Sequence, residues 1–138
     1  MKSKKKKAKD SAGKLEIRQS CFYYMVSKSI KAGDIFDVIK KNSKFDDKTE
    51  FWDEADVLEI QTGEKTSIDI EKIDIFKDEE DRKFVNDNKI GTIFSIVAAE
   101  QDFECVVEVF REVVKSIGGF VCSDTKDFMP YIVSEREG

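Results

Sequence analysis

The sequence contains no histidine, which removes the commonest general base and the commonest metal ligand together. Its three cysteines, Cys21, Cys105 and Cys122, are an odd number without C-x-x-C spacing, a pattern that supports neither a zinc site nor a disulfide framework. Each stands in or beside an apolar run, and each is expected as a small buried hydrophobe in a reducing compartment. With 1 Pro and 7 Gly the chain is poor in turn residues, and no glycine-rich phosphate loop or G-x-S-x-G elbow occurs. Asp53-Glu54-Ala55-Asp56 spells a helicase box, yet without a phosphate loop it has no partner motif. Asn86-Asp87-Asn88 opens like a calcium loop, but Ile90 and Val97 stand at two of its ligand positions. No apolar run approaches the ~20 residues that span a bilayer. The expectation is no metal, no cofactor and no membrane partner.

What is present is charge and aromatic mass. Acidic residues outnumber basic ones 29 to 24, for a net charge of −5. Residues 1–14 hold seven Lys and one Asp, which leaves −11 to residues 15–138. No apolar segment follows Lys4–Lys7, so this stretch does not read as a secretory signal, and a cytoplasmic location is expected. Blocks of like charge repel, so the stretch is expected as a solvated tail outside the fold; nucleic acid is expected to be reached only through it, if at all. Eleven Phe, three Tyr and one Trp exclude a disordered chain and predict one packed domain over residues 15–138.

Hydrophobic periodicity organises that domain. Lys14–Ser27 alternates in its first half and is apolar on both faces in its second, the pattern of a central strand. Asp34 is placed as the N-cap of a short helix carrying Ile35, Phe36 and Ile39. Asp56–Thr62 reads as an edge strand that turns at Gly63-Glu64 into a second alternating run, Ser67–Glu71. Asp78–Asp81 loads the first turn of another short helix. Ile90–Ala98 reads as a second central strand. Asp102 is placed as the cap of the strongest helix, whose stripe is Val106, Val109, Phe110, Val113, Val114 and Ile117. Gly118-Gly119 closes that helix, and Phe120-Val121-Cys122 begins a last strand that ends by Pro130. This order predicts an α+β domain, a ferredoxin-like split β-α-β sheet with an inserted hairpin and short helix.

Two segments carry candidate function. In residues 45–56, Phe51 and Trp52 lie among Asp46, Asp47, Glu50, Asp53, Glu54 and Asp56. Aromatic anchors dominate protein interfaces and carboxylates steer a basic partner, so these eight residues form a candidate partner-binding surface; the alternative is a loop packed on the core. Near the end of the chain, Gly118-Gly119-Phe120 is followed by Asp124, Asp127-Phe128 and Tyr131. With Tyr23 and Cys122, the residues Asp124 and Tyr131 make a candidate ligand or catalytic site at the sheet end.

A helix closed by Gly-Gly-aromatic, then a short strand and an Asp-x-x-Asp-Phe segment, is similar over residues 90–131 to small bacterial immunity proteins that neutralise polymorphic or contact-dependent toxins. That resemblance implies a non-enzymatic, cytoplasmic, acidic inhibitor of a basic toxin-like protein. Without it, the residues leave open a binding module and a small-molecule or catalytic domain.

Overall fold

The computed structural model describes residues 17–134 except 43, 75, 77, 126 and 127; the Lys-rich stretch, the expected first strand residues 14–16, Asp127 and residues 135–138 lie outside the described residues. The elements run β1 (Gln19–Val26), α1 (Ala32–Asn42), β2 (Thr49–Trp52), β3 (Val57–Gln61), β4 (Ser67–Ile73), α2 (Glu79–Asp87), β5 (Thr92–Ala99), α3 (Phe103–Ile117), β6 (Phe120–Ser123) and β7 (Tyr131–Ser134). The strands form one antiparallel sheet in the order β2-β3-β4-β5-β1-β6-β7, so the fold is mixed α+β.

The two strands read as central are neighbours inside the sheet, paired from Gln19↔Ala99 to Val26↔Thr92. Even-numbered residues of β1 and β5 (Phe22, Tyr24, Val26, Phe94, Ile96, Ala98) join Leu58, Ile60, Ile68 and Ile70 in a core covered by α1 and α3. The α3 stripe is buried as its period predicts, with Ile117 half-buried at its end. The last carbonyls of α3 are satisfied by long side chains from β1 and the turn after it. Tyr24 donates its hydroxyl to Gly118 O at 2.6 Å, and Lys28 Nζ donates to Ile117 O at 2.7 Å. Gly119 has φ +88, and a Cβ there would lie 2.4 Å from Met25 O, so only glycine fits this crossing of backbones. On the other face, α2 and Phe128 cover a smaller cluster around Met25, Ile93 and Cys122.

Several local expectations are corrected. The run 56–62 is not an edge: β3 lies between β2 and β4, and the edges are β2 and β7, two four-residue strands that the sequence did not reveal. Helix α1 begins at Ala32, so Asp34 sits inside its first turn and its Oδ2 accepts the Lys31 N–H at 2.9 Å. The Asp102 side chain does not cap α3; its Oδ2 accepts the Thr62 hydroxyl at 2.6 Å, tying the β3–β4 turn to the helix start. Asp78 does cap α2, accepting from Glu80 N–H.

Candidate functional site

Strand alternation sends half of β2–β4 away from the helices. Phe51 turns inward and stacks on Phe36 of α1 with ring centroids 5.0 Å apart, so its neighbours Glu50 and Trp52 point to the opposite face. Leu58, Ile60, Ile68 and Ile70 are buried in the core, so Val57, Glu59, Asp69 and Glu71 share that outer face. Register then aligns them. Glu50 stands opposite Glu59, Glu59 opposite Asp69, and Asp69 opposite Val97 of β5. One row along, Trp52 stands opposite Val57, Val57 opposite Glu71, and Glu71 opposite Ser95.

This is an acidic face with an aromatic at its edge. Trp52 is 44% exposed. None of the outward positions in β2–β5 is Lys or Arg, and among the described residues Glu50, Glu59 and Glu71 have no ion-pair partner. Asp69 accepts from Ser67 Oγ at 3.0 Å. Like charges directly opposite each other on adjacent strands are destabilising, so the facing Glu50 and Glu59 carboxylates lower stability. A groove at the end of this face is lined by Asp47, Glu50, Glu59 and Glu64 together with Lys48 and Lys65.

The eight residues grouped from 45–56 do not share one role. Asp46 and Asp47 are exposed in a 3-10 turn before β2, and Asp53 and Glu54 are exposed in another after it. Phe45, by contrast, is buried, and Phe51 is a half-buried packing residue. Asp56 is engaged in the fold: its Oδ1 accepts the Ala32 N–H at 2.9 Å at the start of α1, and its Oδ2 lies 4.0 Å from Lys72 Nζ. It holds this position with φ 55, a left-handed conformation that Asp and Asn tolerate best among residues with a Cβ. Replacing it with Ala is expected to lower stability by about 1–2 kcal/mol through the lost cap, whereas Asp56→Asn should keep most of it; urea denaturation of both variants checks this. Glu59, Asp69 and Glu71 were missed because their outward alternation is legible in the sequence while their strand neighbours are not.

The second group is partly brought together. Cys122 pairs opposite Tyr23, and the Asp124 carboxylate lies near enough to Cys21 and Tyr23 to act on both. Tyr131 stands apart, stacked on Phe120 with centroids 4.4 Å apart and 39% exposed. Burial, then the Asp124 carboxylate, pushes the Cys21 thiol up to about 11 and the Cys122 thiol up to about 12, and burial raises Tyr23 well above its usual value. Both cysteines are therefore protonated at neutral pH, when a nucleophile needs the thiolate. The folded thiols hold their protons more tightly than unfolded ones near 9.0, so their contribution to stability is intact below pH 9 and is lost as pH rises through 11 and 12. Alkylation by iodoacetamide at pH 8 is expected to be far slower than in the urea-unfolded chain, and the urea midpoint to fall between pH 9 and 11. Among the described residues, no three Cys, Asp or Glu side chains are grouped to hold a metal ion.

Comparison of the chain with protein-family models, with curated proteins and with solved structures gives no match.

Proposed function

We propose that the chain is a non-enzymatic acidic binding module, an immunity-like inhibitor of a basic, toxin-like protein, acting in the cytoplasm. The observation that carries this reading is the outer face of β2–β4, where Glu50 stands opposite Glu59 and Glu59 opposite Asp69, with Trp52 exposed beside them. Such a face steers a basic partner by long-range attraction and offers an aromatic anchor on contact. The contact set is Trp52 with Glu50, Glu59, Asp69 and Glu71, rimmed by Asp46, Asp47, Asp53 and Glu54; Asp56 and Phe51 support it from within. Three free cysteines suit a reducing compartment. For the architecture, we propose a ferredoxin-like split β-α-β core, β4-β5-β1-β6. In its support, α1 lies in the connection from β1 to β4 and α3 in that from β5 to β6, and each connection skips one strand. The alternative site at Tyr23, Cys122 and Asp124 is disfavoured for catalysis by its protonated thiols.

The test is a charge reversal on capture from the native host. Glu59→Lys turns the repulsive Glu50–Glu59 pair into an attractive one, so stability should rise by roughly 0.2–1 kcal/mol. The same variant should lose a basic protein that the wild type retains at low salt and releases at high salt. A partner held equally by wild type and variant would contradict the reading.

A further inference from the structure

Of the helices that pack on the sheet, α2 has the smallest apolar hold. Helices α1 and α3 bury Ile35, Ile39, Val106, Val109 and Phe110, whereas α2 buries no residue. Its apolar side chains are Phe84 and Val85, both half-buried. A helix of nine residues is too short to persist in water by itself, so α2 keeps its shape only while these side chains stay docked. Beneath it lies a closed apolar cluster, in which Met25 and Cys122 are 0% exposed and Ile93 is 4% exposed. Phe128 completes that cluster, with its ring centroid 4.7 Å from Phe84 and 5.9 Å from Tyr23. It does so with φ 58, a left-handed conformation that is costly for a bulky residue. At the first turn of α2, burial and then the Asp78, Glu80 and Asp124 carboxylates hold the Asp81 carboxyl above its usual range, so acid meets acid where the helix reaches the end of β6. The chain after the helix is fixed. Gly91 N–H donates to Val26 O at 2.8 Å, and a Cβ at residue 91 would lie 2.3 Å from Ser27 O, which leaves this backbone pressed on the end of β1. Lys89, with φ 54, turns the chain between that fixed point and α2.

We propose that α2 is a hinged cover, which lifts and unwinds about residues 88–91 and uncovers the outer face of β1 and β6 at Tyr23, Met25 and Cys122 while the sheet and the α1–α3 layer stay folded. Opening below the level of global unfolding is drawn from the parts of a fold with the fewest buried apolar contacts, and α2 is such a part. The cover governs access to the apolar floor beside Tyr23, Cys122 and Asp124, and it acts independently of the acidic face of β2–β4. Cys122 is its built-in reporter, because the thiol meets solvent only when the cover lifts.

Maleimide labelling of the full chain, read site by site by mass spectrometry, tests the cover together with amide hydrogen exchange. Without urea, Cys122 is expected to react at least about tenfold faster than global unfolding allows. That rate should hardly change in low urea, because lifting a short helix exposes little surface. The amides of residues 83–88 should open with the same free energy as Cys122, while those of residues 121–123 exchange only on global unfolding. Phe84→Ala removes the larger anchor and should speed both Cys122 labelling and α2 exchange by about tenfold or more. Cys122 labelling that follows global unfolding in rate and urea dependence would overturn the proposal. So would amides of residues 121–123 that open together with Cys122, the mark of a fraying strand, or a Cys122 rate unchanged by Phe84→Ala.

Discussion

Val109→Asp is expected to abolish the native fold. Val109 is 1% exposed, in the centre of the α3 stripe that packs on the sheet with α1. A carboxylate there has no cation within the apolar core, and burying an unpaired polar or charged group costs several kcal/mol on top of the lost valine packing. A domain of this size has a total stability of roughly 5–15 kcal/mol. The variant should therefore lose its cooperative melting transition, or show a midpoint far below that of the wild type. Glu108, one residue before it, faces solvent with Lys44 Nζ 3.5 Å away and both side chains more than half exposed. Glu108→Ala should change stability by no more than about 1 kcal/mol. A native melting curve for Val109→Asp would mean that α3 buries a different face.

The contrast between these neighbours shows why much of the fold was readable. A 3.6-residue period in 106–117 and two strands apolar on both faces are local patterns that point directly to burial. The strands missed, β2 and β7, are four residues long, too short for alternation to separate from a loop. The α2 start was legible from its acidic first turn, Asp78–Asp81, whereas side-chain partners that lie far off in the sequence were not. Asp56 reaches α1 from 24 residues away, and Asp102 serves Thr62 from 40 residues away. The candidate surface divides along the same line. Trp52 with Glu50, Asp53 and Glu54 is contiguous in sequence, but Glu59, Asp69 and Glu71 join it only through register. Phe128 stands in the second candidate segment, yet its ring is buried against Tyr23, Phe76 and Phe84, a packing that no local period encodes.

Trp52→Ala separates a binding role from a packing role. Trp52 stands at the edge of the sheet, opposite Val57, with nearly half of its surface exposed. Its truncation should leave stability within about 1 kcal/mol of the wild type, as for other surface positions. As the aromatic anchor of an acidic interface it should weaken the basic partner by about 2 kcal/mol or more, roughly 30-fold in dissociation constant. Charge reversal at Asp53 and Glu54, on the rim, should act differently, slowing association and flattening its salt dependence with little change in dissociation. The decisive measurement is the dissociation constant of the captured partner for wild type and Trp52→Ala at one salt concentration, with the melting temperature of each protein recorded alongside. A loss of affinity of that size at nearly unchanged melting temperature is the predicted result. Unchanged affinity, accompanied by the ~3–5 kcal/mol loss of stability typical of a truncated buried aromatic, would contradict it.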